Sequence, residues 1–427
     1  MMIYRIFVIL FMIASSFVVS QENLNRDVCR ALALSYNQDV KSANLETQSA
    51  TAIKEASGKD YLPRLDFSAN YSFIGKPMIV PGIVTMQQNQ YNVNATVLQE
   101  VYTGGRISSI VDMNQSIENI ARENVRYTEA ELIFATDNSY WKAVSDFENL
   151  SVAHLYLGTI QTLFKVINDK VNAEVISKND LLITEVRLND AKLSVLESDN
   201  RLSISKMELN RLIGYPITKP ITIEDVVPLD VDGLDSEALI ERAVKQRPEI
   251  KMQLQKVEAS KYNADLTSSE YLPQIFVGAN GTWGVPAPEL GADADFNYSL
   301  FGSVSFPIFL WGKSSLEVQS QELLTNSEQE QYQKIEEIVS LEVESSKYSF
   351  NEADKRVELT LSSLVRASEN LEIMTTRYLE GLSPILEVLD AQVFWLKAYL
   401  DHINAKRIYQ VSYSALLKSV GELSTAN

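Results

Sequence analysis

Residues 61–73 read YLPRLDFSANYSF, and no other stretch limits the possible folds of this chain so sharply. Leu65, Phe67, Ala69, Tyr71 and Phe73 alternate with Arg64, Asp66, Ser68, Asn70 and Ser72. A period of two makes a strand with one apolar and one polar face. The pattern recurs. YLPQIFVGAN follows at 271–280. Tyr91, Val93, Ala95, Val97 and Val101 oppose Asn92, Asn94, Thr96 and Glu100. Phe296, Tyr298, Leu300, Val304 and Phe306 oppose Asn297, Ser299, Ser303 and Ser305, with Phe301 breaking the polar side. A two-faced strand of about ten residues belongs to a soluble sandwich or to an outer-membrane barrel. Only four such strands exist here, and no further all-β region supplies a second sheet. Four strands cannot close a barrel in lipid, where an open edge leaves backbone N–H and C=O groups unpaired. The strands must therefore be pooled between chains, two at the least. Three chains would give twelve strands, although physics alone does not choose three.

Around the strands the chain reads as two copies of one pattern. SYNQDV (35–40) matches KQRPEI (245–250), and TGGR (103–106) matches LWGK (310–313). KNDLLITE (178–185) matches ILEVLDAQ (385–392), and RLIG (211–214) matches KSVG (418–421). Repeat 1 covers 21–214: a helix near 24–58, a β-hairpin over 64–102, a very long helix and a return helix. A connector, 215–235, is rich in Pro, Asp and β-branched residues and reads as an extended segment. Repeat 2 covers 236–427: a helix near 236–268, a β-hairpin over 274–309, a long helix and a return helix. Pro63 and Pro273 end the first helices, since proline lacks the N–H a helix needs. Gly105 and Gly312 relieve the corners where strand turns into helix. Between 107 and 171 there is no Pro and a single Gly, and 314–379 has neither. A helix of about 65 residues would reach about 100 Å. Return helices of about 35 residues follow.

The N-terminus, MMIYRIFVILFMIASSFVVSQ, places Arg5 before a short apolar run and small residues, the pattern of a secretory signal peptide over 1–20. Beyond it no unbroken apolar run is long enough to span a bilayer, so no spanning helix is expected. The formal charge of −18, from 56 acidic and 38 basic residues, argues against nucleic acid. The single cysteine, Cys29, excludes an intramolecular disulfide. His154 and His402 are far apart, and no metal-ligand, nucleophile or phosphate-loop motif occurs. An enzyme is not expected, nor a cofactor, nor a metal. Tyr102, Phe309 and Trp311 lie where strands meet helices and suit an interfacial position.

The repeat, the YLP strand entries, the GGR and WGK corners, the RPE at 247–249 and RYLEGLSPILEVLDAQ (377–392) together resemble the TolC-type outer membrane efflux protein family. The resemblance covers nearly the whole mature chain. It implies a mainly α fold with a membrane β-barrel: a trimeric 12-stranded β-barrel, four strands per chain, continuing into a long α-helical barrel. It places the protein in the outer membrane of a Gram-negative bacterium, with a periplasmic extension. The implied partners are two further copies in a homotrimer, outer membrane lipid, a periplasmic adaptor protein and an inner-membrane pump of the proton-driven RND or ATP-driven ABC type. The implied role is a passive exit duct for efflux or type I secretion. A structural coiled-coil envelope protein without transport is the alternative. At the family's pore constriction stand Glu387 and Asp390, with Tyr378 on a tyrosine that latches the closed state and Asp180 as the first repeat's counterpart of Glu387. An arginine found two residues after the glycine in the family's best-known member is Ser383 here, so the same latch is not expected. The turns holding Val175, Ile176 and Ser177, and Gly381, Leu382 and Ser383, are the expected docking points for the adaptor.

Overall fold

The computed structural model describes residues 23–76, 79–80, 84–85, 88–223, 235–285 and 294–423. The signal peptide and most of the 224–235 part of the connector lie outside the described residues. A short strand β1 (Asn23–Leu24) leads into α1 (Arg26–Tyr36) and α2 (Gln38–Ser57). Strand β2 (Arg64–Phe73), the short pair β3 (Ile79–Val80) and β4 (Val84–Thr85), and strand β5 (Asn89–Tyr102) follow. Then come α3 (Arg106–Asn172), α4 (Lys178–Ile213) and β6 (Thr222–Ile223). The second half runs α5 (Ser236–Gln246), α6 (Pro248–Ser269), β7 (Gln274–Val285), β8 (Asp295–Ser305), α7 (Lys313–Leu379) and α8 (Ile385–Val420). Helices α3 and α7 each have 67 residues, and α4 and α8 each have 36.

The first helix of each half, read as continuous from sequence, is two helices. Asn25 caps α1, its side chain accepting from the Val28 N–H at 2.8 Å. Asn37 then turns to ψ 135° and breaks the run. In the second half Arg247 does the same at ψ 130°, because proline at 248 bars the helical conformation from the residue before it. Pro63 does not end α2 directly. A 3-10 turn over Gly58–Tyr61 lies between them.

The chain divides into two compact units, one of residues 1–38, 129–240 and 342–427, the other of 39–128 and 241–341. In the first, the core is built by Val152, Tyr156, Ile160, Leu163 and Ile167 of α3 with Leu188 and Ala191 of α4, Tyr378 of α7, and Ile385, Val388, Leu389, Trp395 and Ile403 of α8. Helix α3 is long and apolar enough to cross a bilayer by length and composition, contrary to the expectation of no such helix. Polar residues interleave its apolar positions, so it shows no unbroken run. A core helix meets the same test, and Val152, Tyr156, Ile160, Leu163 and Ile167 pack into this core.

Each unit also buries a charged group held by several hydrogen bonds. In the first, Arg30 grips Asp137 through two hydrogen bonds, Nε to Oδ1 at 2.7 Å and Nη2 to Oδ2 at 2.6 Å, with both side chains fully buried. Ser414 of α8 donates to the same carboxylate at 2.6 Å, so α1, α3 and α8 meet at one anion. Burial, and secondarily the Asp137 charge, pushes the neighbouring Cys29 thiol up to about 12. In the second unit, Glu118 of α3 accepts from Arg122, from Gln115, and from Thr51 and Lys54 of α2. The Arg122 hydrogen bond is the main reason its carboxyl is held down to about 2.

At the end of the long helices both halves use one turn. The Val175 N–H bonds the Lys170 carbonyl and the Glu174 N–H bonds the Val171 carbonyl, each at 2.9 Å. The Leu382 N–H bonds the Arg377 carbonyl at 2.8 Å and the Gly381 N–H bonds the Tyr378 carbonyl at 3.0 Å. This is the Schellman pattern, which needs a left-handed residue after the helix. Gly381 supplies it at φ +79° and Glu174 at φ +58°.

Two outcomes follow. Asp137→Ala leaves the buried Arg30 guanidinium without its carboxylate and lowers stability by about 3–5 kcal/mol, read as the urea midpoint of the detergent-solubilised protein. Glu174→Gly relieves about 1 kcal/mol of left-handed strain. It slows hydrogen exchange of the 173–180 amides about fivefold, and unchanged exchange contradicts the strain.

Candidate functional site: a two-faced open sheet and an acidic helical turn

In the second unit the strands form one antiparallel sheet in the order β2-β5-β7-β8. Arg64 faces Leu98 and Phe73 faces Asn89 in the first hairpin. Gln274 faces Ser305 and Gly284 faces Asp295 in the second. The central junction sets Leu98 against Gly278, Thr96 against Asn280 and Asn94 against Thr282, with an irregularity between Glu100 and Tyr102. These registers align the polar positions of all four strands. Asn70 donates to Asn92 at 3.1 Å, Asn280 to Thr96 at 3.1 Å, and Thr282 to Asn94 at 2.7 Å. A ladder of amides and hydroxyls therefore covers one face.

The other face carries Leu65, Phe67, Tyr71, Val97, Trp283, Tyr298 and Leu300. Phe67 is 72 % exposed and Leu300 77 %. The Tyr91 and Trp283 rings meet at 5.7 Å across β5 and β7. Phe301, which breaks the polar side of β8, has a local cause. It faces Gly278 across the pair, and its ring fills the space where a Cβ would stand, 2.4 Å from the Phe301 Cζ. On the opposite face Phe296, diagonal to Gly281, brings its ring to 3.3 Å from where a Cβ on that glycine would stand. Among the described residues no strand pairs with the outer edge of β2 or of β8.

The corners are built by left-handed pairs: Gly104 at φ +62° and Gly105 at φ +92°, then Trp311 at φ +55° and Gly312 at φ +82°. Pro63 and Pro273 stand just before β2 and β7. Gln274 donates to the Thr103 carbonyl at 3.2 Å and the Ser269 carbonyl at 3.0 Å, and Arg106 pairs with Glu100. A Cβ on Gly104 would stand 2.6 Å from the Leu272 Cβ, so that position admits no side chain. Nothing lies within 4 Å of a Cβ on Gly312. Phe309 and Trp311 meet edge to face at 4.6 Å.

In the first unit the helical turns carry the remaining predicted residues. Val175 and Leu382 occupy the same position after their left-handed residues, and are 68 % and 65 % exposed. Ile176 packs against the core, while Ser177 caps α4 by accepting from the Asn179 N–H at 3.1 Å. Among the described residues the buried Ser383 hydroxyl has no hydrogen-bond partner. Tyr378 is 7 % exposed, and its hydroxyl likewise has no partner among the described residues. Burial pushes the phenol up, and the charge of Asp180 adds to this, which puts the two residues in one neighbourhood. Lys170, which the sequence reading passed over, stands over the Tyr378 ring at 4.8 Å. Its place in the last turn of α3, opposite Arg377 in the last turn of α7, was the available signal. Glu387 and Asp390 lie on the exposed face of α8, while Val388 and Leu389 between them are buried. Neither carboxylate has an ion-pair or hydrogen-bond partner among the described residues. His402 meets Thr360 at 3.2 Å in a helix seam, and His154 is exposed. The described residues hold no cluster of His, Cys, Asp and Glu arranged for a metal.

The chain has the fold of several solved outer-membrane channels. It superposes on the outer-membrane channel OprN with a TM-score of 0.81 at 17% identity, covering 93% of this chain and 90% of that one. For the Campylobacter jejuni CmeC outer membrane channel the values are 0.80, 18%, 94% and 87%. For the open state of the Neisseria gonorrhoeae MtrE outer membrane channel they are 0.79, 19%, 93% and 88%. Comparison with curated protein sequences finds no match. The sequence model of the family described as Outer membrane efflux protein matches twice, over residues 30–215 and 239–422. The chain belongs to this family of non-catalytic channels for efflux and secretion, which lie in the outer membrane and extend into the periplasm.

Proposed function

We propose that this chain is one third of a trimeric exit duct, whose twelve-stranded barrel in the outer membrane continues into an α-helical barrel in the periplasm. The observation that carries this reading is the four-stranded sheet: apolar on one face, hydrogen-bonded and polar on the other, and unpaired along both edges among the described residues. A sheet exposed to lipid must close, and four strands close only with those of other copies. The polar ladder then lines a water-filled lumen. The paired helix lengths of the two halves, and the two matches of the family, support a duplicated chain. The exposed stripe Leu182, Val186, Leu193 and Leu196 along α4 supports burial of helix seams between copies. A coiled-coil envelope protein without transport has no use for the aromatic face of the sheet.

The duct is passive. Energy comes from an inner-membrane pump of the RND or ABC type, reached through a periplasmic adaptor. Val175 and Leu382 offer apolar docking points beside the two helical turns. Glu387 and Asp390, from three copies, place six unpaired carboxylates at the periplasmic constriction, which favours cations and binds multivalent ones. Tyr378, with Lys170 on its ring and Asp180 beside it, holds the end of α7 against that of α3.

In detergent the protein runs as a stable trimer extracted from the outer membrane. Recovery as a water-soluble monomer overturns the duct. In planar bilayers Glu387→Ala with Asp390→Ala raises single-channel conductance and weakens block by multivalent cations several-fold. Unchanged conductance and block remove these residues from the constriction.

A further inference from the structure

The polar face of the sheet is interrupted at one height. The registers set its residues in rows across the strands. One row runs Ser68, Asn94, Thr282, Asn297, and the next Asp66, Thr96, Asn280, Ser299. The row after that is Arg64, Leu98, Gly278, Phe301, and beyond it Glu100 pairs with Phe276 and Phe276 with Ser303. Leu98, Phe276 and Phe301 therefore form one apolar island on a face otherwise built of amides, hydroxyls and a few charges. Gly278 stands at its centre, under the Phe301 ring.

The fold does not demand this island. The two hairpins correspond residue by residue, with Arg64 facing Leu98 in one and Gln274 facing Ser305 in the other. In that correspondence Asp66 matches Phe276, Ser68 matches Gly278, Asn94 matches Phe301 and Ser305 matches Leu98. Each apolar member is polar in the other repeat, although the backbone pairing is the same. Cover for Gly278 explains where the Phe301 ring lies. It does not explain Leu98 and Phe276, or a glycine in the place of Ser68. Nor are the three side chains sealed within the chain: Phe301 is 40 % exposed, and Leu98 and Phe276 are half-buried.

We propose that Leu98, Phe276 and Phe301 form a station on the lumen wall that holds the apolar or aromatic part of an amphipathic cargo molecule as it crosses the barrel. The inference rests on the duct proposed above and adds a basis for its choice of cargo. The chemistry around the island selects the occupant. The charged residues in its two rows are already paired, Arg64 with Asp66 at 2.7 Å and Glu100 with Arg106. A bare ion gains little there. A ring laid against the island releases water from both apolar surfaces. Asn280, Ser299 and Ser303 stand beside it as uncharged hydrogen-bonding groups for the polar part of the same molecule. The fit is to an organic compound with aromatic and uncharged polar portions. The inorganic cations that Glu387 and Asp390 attract have no use for it.

Single-channel recording in planar bilayers tests the station, with two short uncharged peptides added on the barrel side. One is made of glycine and serine, and in the other some serines are replaced by phenylalanine. In the wild-type channel the phenylalanine peptide should dwell about tenfold longer, the effect of one favourable aromatic contact. The double variant Leu98→Ser with Phe301→Asn installs the residues of the other repeat. It should keep the trimer and the salt conductance, and bring the two dwell times within about twofold of each other. Phe301→Leu, which stays apolar, should keep most of the difference. If the double variant does not assemble, Leu98→Ser alone must shorten the phenylalanine dwell selectively, and an unchanged dwell there overturns the station. Equal dwell times in the wild type overturn it, as does a difference that survives in the double variant. A several-fold rise in salt conductance in the double variant also overturns it, since the island would then be a plug between copies. Absence of channels from the wild-type protein overturns the duct itself.

Discussion

A backbone N–H or C=O facing hydrocarbon without a partner costs several kcal/mol, and along the outer edges of β2 and β8 alternate residues present such groups. That constraint governs the rest of the molecule. Soluble sheets protect such edges with lysine, proline or bulges. Here β2 and β8 carry only Arg64, Asp66 and Asp295 as charges, all near strand ends. Their middles are aromatic and aliphatic on one face and uncharged on the other. These are edges built to be covered, and the apolar face excludes water as what covers that side. In the proposed barrel Tyr71 and Phe67 on one edge strand and Leu300 and Tyr298 on the other face lipid, while Asn70 and Ser303 face water.

The helices meet a different difficulty. A 67-residue helix can slip along its neighbour by a turn and recover most of its apolar contacts. A bidentate ion pair cannot slip. Arg30, Asp137 and Ser414 join three helices at one point in the first unit, and Glu118 joins α3 to α2 in the second through two donors, Thr51 and Lys54. Asp137 and Glu118 each take several hydrogen bonds, which limits the desolvation cost. Each also defines one register among the many that a run of Ala, Ser, Thr and Leu would tolerate.

Much of this was legible from residue patterns, and the reason is periodicity. Strand faces follow from alternation at Leu65 to Phe73, and long helices from the absence of Pro and Gly over 314–379. What escaped depends on contacts between distant segments. The break at Asn37 carries no proline, unlike its counterpart at Pro248, so spacing alone left the first helix whole. Phe301 looked like an error in the polar face until its partner proved to be Gly278, twenty-three residues away in sequence. Lys170 became part of the helical turn only through its position over Tyr378. Glu387 and Asp390 were readable as one face of α8, since their spacing puts them there whatever surrounds them.

Comparison of the halves separates two reasons for a glycine. Gly104 is fixed by space, because Leu272 occupies the volume a side chain would need. Gly381 is fixed by conformation alone, since nothing lies within 4 Å of its missing Cβ. At the corresponding positions stand Trp311 and Glu174, the two described residues other than glycine in the left-handed region. Each bears a strain of about 1 kcal/mol that glycine would remove. Neither recovers it by burial, because both side chains are exposed within the single chain. An exposed residue held in a strained conformation marks a position to test for a functional contact. Trp311 lies at the edge where a second copy is to pair, and Glu174 beside Val175 at the turn proposed for the adaptor. The two strained residues thus fall at the two surfaces where the proposed assembly needs contacts that one chain cannot make.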